Sequence, residues 1–235
     1  MSNKIDFVEV VKKSFGAVPL RSIAIDPQLR HIQSESGAVD LEIYQMDKFE
    51  KIVLSTIKIY QKSIVEASAI AWPDAKHHLP VLWCNLTIVS PLMNFIIFDF
   101  IPMLDPVSWP GYAESCLDVN RELKTNALER LGDTVIDNNV MLRSKTMYAL
   151  SPYSLIANIK ETGLSHVPDI TNAYINAYLK LWEKARSIEK SNEFESYTKK
   201  RAATRTLMKN NDPGYPKMVG AFGEEMTHKV FEAIF

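Results

Sequence analysis

Apolar residues recur along this chain with two periods, and the change of period divides it into regions. Phe7, Val8, Val11 and Phe15 fall on one face of a helix over 4–15. Val39 to Tyr44 alternates apolar and polar positions, the signature of a half-buried strand. Four apolar runs rich in β-branched residues follow at 49–59, 64–72, 80–89 and 94–101. Short breaks such as Pro73-Asp74-Ala75-Lys76 and Ser90-Pro91 separate them. A parallel return needs about a dozen residues of crossover, so these strands are expected to be antiparallel neighbours. Val140 to Leu150 reads as another strand, 109–131 as a weakly patterned helix and 153–161 as a further short helix. From Ile170 to Ile188 the positions Ala173, Tyr174, Ala177, Tyr178, Leu181 and Ala185 keep the 3.6-residue period. The tail from Phe222 to Phe235 repeats it through Met226, Val230, Phe231 and Ile234. No internal repeat or low-complexity linker interrupts the chain, so 1–235 is read as a single domain. Strands grouped early with helices on either side predict an α+β fold, an antiparallel sheet with helices packed on its faces.

Composition narrows the function classes. A chain of 235 residues can bury roughly 70% or more of its unfolded surface. With 46% hydrophobic and 23% charged residues, it is not a disordered chain, a collagen or a coiled coil. The net charge of -1 provides no global basic field for nucleic acid or an anionic membrane. Two cysteines, Cys84 and Cys116, are too few for a disulfide framework, a zinc cage or an iron–sulfur site. The first residues show no apolar signal region, and Leu86 to Leu104 is broken by Ser90, Pro91, Asn94, Asp99 and Pro102. The expectation is a soluble monomer of the cytoplasm, or of the plastid stroma in a eukaryote, although no transit peptide is seen.

Glycine is scarce. There are 8 glycines and no G-x-G spacing, so neither the dinucleotide fingerprint nor the P-loop can be written onto the chain. H-E-x-x-H, G-x-S-x-G and C-x-x-C are also absent. The chain carries no standard motif for a nucleotide, a flavin or a metal.

Several constellations have a bland reading beside a sharp one. His77-His78 sits in a polar break and reads first as a solvated turn; the two tryptophans of Trp72 to Trp83 read first as core. Residues 197–217 hold Lys199, Lys200, Arg201, Arg205, Lys209 and Lys217 against one acid, Asp212. Such a run is ordinarily a solvated helix face, and its sharper reading is a docking patch for an acidic protein. Asp212-Pro213-Gly214 is a turn signal, with Asp212 as a turn-forming or capping residue.

Three segments together resemble the ferredoxin-dependent bilin reductases. The first runs from Ala71-Trp72-Pro73 to Leu79-Pro80-Val81-Leu82-Trp83-Cys84-Asn85, and the second is Asp99-Phe100-Ile101-Pro102. The third is Asp212-Pro213-Gly214, followed ten residues after Asp212 by Phe222-Gly223 and closed by Ile234-Phe235. The resemblance implies a three-layer α/β/α sandwich around a central antiparallel sheet. It implies a linear tetrapyrrole, biliverdin IXα or a dihydrobiliverdin, held between the sheet and the C-terminal helices. It also implies an enzyme with no bound cofactor and no metal, which takes single electrons from the [2Fe-2S] protein ferredoxin and adds protons to bilin radicals.

The family's residues carry over unevenly. Asp212 matches the C-terminal aspartate that some members use as a proton donor near the A-ring, which favours reduction on that side. Asn85 falls where many members carry a central aspartate, and phytochromobilin synthases resemble this chain in carrying Asn. Ser68 falls where others place His, Asp or Asn, and an acid expected in the preceding strand falls near Ser55 or Thr56. Glu66, two residues before Ser68 and so on the same strand face, is a substitute for one lost acid. Ser151 replaces an arginine expected before Pro152, so propionate binding shifts to Arg143 or Lys145. Ser68, Glu66, Arg143, Lys145 and Lys217 are thus the candidate substrate contacts. Lys199, Lys200, Arg201 and Arg205 are the candidate ferredoxin dock.

A general acid must hold a proton near neutral pH, which a buried carboxyl can do and an amide cannot. Asn85 is therefore expected to orient pyrrole N–H or lactam groups, with Asp212 the main acid. Two functions of different class follow: a bilin reductase, or a noncatalytic bilin carrier on the same fold. Asp212 and the basic run favour the enzyme, while Ser68 and Asn85 favour the carrier.

Overall fold

The antiparallel hairpins expected from the four apolar runs form the centre of the molecule. A computed structural model describes residues 5–16, 18–90, 93–138 and 145–235. Its strands are β1 (Arg21–Ser22), β2 (His31–Gln33), β3 (Gly37–Gln45), β4 (Phe49–Ile59), β5 (Ile64–Pro73), β6 (Val81–Ser90), β7 (Met93–Ile101), β8 (Val135–Asp137) and β9 (Leu155–Ile159). Among the described residues they make one antiparallel sheet in the order β1-β3-β4-β5-β6-β7-β9-β8, with β2 also paired to β3.

The helices are α1 (Phe7–Phe15), α2 (Pro27–Arg30), α3 (Pro110–Tyr112), α4 (Asp118–Leu131), α5 (Val167–Lys184), α6 (Glu193–Asn211), α7 (Tyr215–Phe222) and α8 (Glu224–Ile234). A π-helical turn, Ala113–Leu117, joins α3 to α4. Asp6 caps α1 by accepting the Glu9 amide at 3.1 Å, which satisfies one of the free N–H groups of the first turn.

Strand alternation sorts the core into two layers. Leu54, Ala69, Cys84, Phe98 and Leu155 lie in register across β4, β5, β6, β7 and β9 and belong to the core under α1, α4 and α5. The next residues along, including Ile57, Ile70, Trp83 and Ile97, face the opposite way, toward Tyr197, Met208, Met218, Phe231 and Phe235 of the C-terminal helices. This is the α/β/α sandwich that the resemblance implied. Trp72 is wholly buried and donates its Nε1 to the Ile234 carbonyl at 3.1 Å, tying α8 to the sheet.

Four sequence expectations are corrected. The strand expected over Val140 to Leu150 is instead a 3₁₀ turn over Lys145–Ala149, with Thr146 and Ala149 buried three residues apart; 140–144 lie outside the described residues. The helix expected over 153–161 is the strand β9, in which Leu155, Ala157 and Ile159 are buried in alternation. The run Leu-Ile-Ala-Asn-Ile is too short for periodicity alone to separate the two forms. Finally, α5 stops at Lys184; Ile188 lies beyond it and donates its amide to the Lys76 carbonyl at 2.8 Å. That pairing also half-buries His78, which packs edge-on against Tyr112, so the histidine pair is not a simple solvated turn.

Candidate active site

The second face of the sheet is polar at one level. Ser55, Ser68, Asn85 and Ile97 are directly opposed across β4, β5, β6 and β7, and Glu66 faces Thr87 in the next cavity-facing row. Alternation in a strand turns all of these side chains to one side, toward a cavity of about 320 Å³. Ligand pockets usually begin at roughly 300 Å³. The floor is Ser55, Glu66, Ser68, Trp83, Asn85, Thr87, Phe95 and Ile97; the roof comes from α7, α8 and the Asp212-Pro213-Gly214 junction.

The polar floor is hydrogen-bonded within itself. Ser55 Oγ and Ser68 Oγ are 2.9 Å apart and share a hydrogen bond. Asn85 Nδ2 donates to Glu66 Oε1 at 3.1 Å, and Thr87 Oγ1 donates to Asn85 Oδ1 at 3.0 Å. Of the two positions where a strand acid was expected, Ser55 faces the cavity, and Glu66 brings the carboxyl from the neighbouring strand.

Asp212 sits where α6 ends. Its Oδ1 accepts the Gly214 amide at 2.6 Å, closing an Asx-type turn. A Cβ at Gly214 would lie 2.9 Å from that same oxygen, so a side chain there would push the carboxylate off this position. The turn function read from the sequence is therefore real, and the turn also aims Asp212 at the cavity.

The two carboxyls perturb each other. Burial pushes the Glu66 carboxyl up to about 7; the charge of Asp212 adds to this, and the Asn85 hydrogen bond and Lys217 oppose it. Burial also raises Asp212, against the Gly214 amide and the charge of Lys217. A buried acid with its pKa near neutrality can hold a proton and release it to a bound molecule. Lys217, on α7, lines the cavity and is the cation whose charge acts on both acids.

The other expected residues are more scattered. Arg143 lies outside the described residues. Lys145 is exposed on the 3₁₀ turn, whose next residue, Thr146, lines the cavity. Ser151, in the place of the expected arginine, donates its amide and hydroxyl to Asp99, which Asn120 also contacts. Burial lifts Asp99 to about 6 against those hydrogen bonds. Lys199 is exposed and Lys200 half-buried on α6. Arg201 and Arg205 are committed internally: both pair with Glu50, Arg201 Nε donates to the Pro73 carbonyl at 2.9 Å, and Arg205 lies 4.7 Å over the Trp72 ring. Among the described residues no group of three His, Cys, Asp or Glu is placed to hold a metal ion, and no helix is long and apolar enough to cross a membrane.

Thr87, Thr146 and Asn158 line the cavity without having been singled out in the sequence. Thr87 was legible as the position two after Asn85 on one strand. Asn158 was not, because β9 read as a helix.

Comparisons with known proteins agree with this fold. The family described as ferredoxin-dependent bilin reductase matches residues 8–235. Among solved structures, tomato phytochromobilin synthase in complex with biliverdin superposes with a TM-score of 0.76 at 15% identity, covering 96% of this chain and 79% of the tomato chain. A search of curated proteins finds no match. The chain belongs to the ferredoxin-dependent bilin reductases, oxidoreductases that act on bilins.

Proposed function

We propose that this bilin reductase takes biliverdin IXα or a dihydrobiliverdin into the cavity under the C-terminal helices and reduces it on the A-ring side. The observation that carries the reading is the pair of raised carboxyls, Glu66 from the sheet and Asp212 from the roof, lining one cavity. Each electron from ferredoxin adds negative charge to the bilin π-system, and a proton must follow to neutralise it. Reducing one double bond takes two electrons and two protons, so two acids on opposite walls match the demand.

Asp212 delivers the proton on the A-ring side, the place the family resemblance gives to this aspartate. Glu66 supplies the carboxyl that Ser55 and Ser68 lack. Asn85 has no acidic proton and orients pyrrole N–H or lactam groups. Ser68 contacts the ring system, and Lys217 at the cavity wall pairs with a propionate, with Arg143 and Lys145 as further cations. Ferredoxin docks on the α6 face that bears Lys199 and Lys200, with Arg201 and Arg205 adding to its field. A carrier would need only the apolar walls and a cation. It would have no use for a carboxyl that burial holds up to about 7, beside a second one that burial also raises.

Anaerobic incubation with biliverdin, ferredoxin and a reducing system, followed by absorbance spectra and product chromatography, tests the assignment. Asp212→Asn keeps the turn, since Asn also suits it, and removes the acid. Bilin binding is expected to persist while product formation falls by roughly 10²–10⁴. Product rates near those of the unmodified protein would reduce Asp212 to a turn residue.

A further inference from the structure

We propose that Thr87 is a positioning residue which, acting through Asn85, keeps the acid proton of Glu66 on the carboxyl oxygen that faces the cavity. This rests on the reading of Glu66 as a proton donor, and it concerns a residue that touches neither acid directly through a hydrogen bond. Thr87 stands directly across from Glu66 in the β5–β6 register, and Asn85 stands across from Ser68. The three side chains form one directional chain: Thr87 Oγ1 donates to Asn85 Oδ1 at 3.0 Å, and Asn85 Nδ2 donates to Glu66 Oε1 at 3.1 Å.

A primary amide can turn over, and the two orientations have opposite consequences. With its NH₂ toward Glu66, Asn85 occupies Oε1 as a donor, so the carboxyl proton must sit on Oε2 and remains available to a ligand. With its carbonyl toward Glu66, Asn85 accepts the carboxyl proton and holds it inside the wall. Thr87 decides between them. In the observed orientation its hydroxyl supplies the donor that the Asn85 carbonyl needs. In the reversed one, the Asn85 NH₂ would face Thr87 Oγ1, and the hydroxyl would have to accept it and turn its own hydrogen away from Asn85. Asn85 is almost wholly buried, so a carbonyl left without a donor there is costly.

Valine has the shape of threonine without the donor. In Thr87→Val the Asn85 carbonyl loses the Thr87 donor, and turning toward the protonated Glu66 gives it another. That removes a hydrogen bond from the carboxylate and adds one to the neutral acid, so Glu66 should titrate at higher pH. Asp212 and Lys217 face Glu66 from the roof and act on it equally in both variants. One hydrogen bond to a charged group corresponds to about one pH unit.

The test is an infrared titration of the protonated-carboxyl band in bilin-free protein, assigned to Glu66 by its loss in Glu66→Gln. Thr87→Val should move the Glu66 midpoint up by about one unit, and Thr87→Ser should restore it. The pH profile of bilin reduction should shift in the same direction, with turnover near neutral pH reduced about tenfold and recovered by serine. A Thr87→Val titration that superimposes on the wild type overturns the positioning role. A shifted titration with an unshifted turnover profile supports the positioning chain and overturns Glu66 as the donor.

Discussion

Leu54, Ala69, Cys84, Phe98 and Leu155 cross the sheet in one row, and Ser55, Ser68, Asn85, Ile97 and Ile156 cross the same strands in the adjacent row. The first row is apolar and wholly covered by helices; the second carries hydroxyls and an amide, and Glu66 and Thr87 flank it under an open cavity. A strand offers both environments at a separation of one residue, because its side chains alternate. The comparison teaches a division of labour. The face under α1, α4 and α5 has the dense packing that stabilises the sheet. The other face can therefore keep a cavity, hydroxyls and two mutually repelling acids, each of which costs stability.

The largest expected effect breaks the packed face. Phe98 is fully buried, 6.4 Å from the Phe7 ring and 5.0 Å from the Tyr174 ring. Phe98→Ala should cost about 3–5 kcal/mol in denaturant unfolding, with product identity unchanged in the fraction that folds. Ser68→Ala, at a site that already borders a cavity, should cost far less. Equal losses at the two positions would mean that the faces do not divide their roles as argued.

A second prediction concerns pH. The Glu66 carboxyl, ordinarily near 4.5, is held up to about 7 in the folded chain. The folded state therefore binds this proton more tightly than the unfolded one, and stability from this group falls as pH rises between those two values. Glutamine carries no charge at any pH. Glu66→Gln should be more stable than the unmodified protein at pH 8, with the advantage vanishing below pH 4.5. Paired unfolding curves at the two pH values measure this. An advantage that is the same at both would show that the carboxyl is not strained by burial.

How much of this was legible depended on the range of the signal. The packed face was readable because each strand repeats the same apolar alternation locally, and the four central strands fall within a residue or two of their expected limits. Glu66 was placed on the cavity face by the same parity argument, being two residues from Ser68. What failed was β9, whose five residues carry both patterns at once, and the 3₁₀ turn whose buried Thr146 and Ala149 pack against α6. Helix α6 buries only Tyr197, Thr204 and Met208, too sparse a set to set a period. Its arginines looked like free charge because Glu50, Pro73 and Trp72, their partners, lie more than a hundred residues earlier in sequence. Long-range pairing leaves no local trace.

The smallest effect separates the two kinds of cation on α6. Lys199 is exposed, and Lys200 is half-buried with its charge acting on the exposed Asp105. The Arg201 and Arg205 side chains are only 12% and 27% exposed in their pairs with Glu50. A steering charge acts through solvent and is screened over about 8–10 Å at ordinary ionic strength. Reversing Lys199 and Lys200 to Glu should therefore raise the apparent ferredoxin KM several-fold at low salt. The difference should shrink as salt is added, with melting temperature and bilin affinity unchanged. Arg201→Ala should behave in the opposite way. It leaves Glu50 short of a partner and the Pro73 carbonyl without its donor, so stability should fall by roughly 1–3 kcal/mol with a smaller change in KM. If the lysine reversals leave KM flat across the salt series, ferredoxin docks elsewhere, and the exposed cations of α6 are a solvated face like any other.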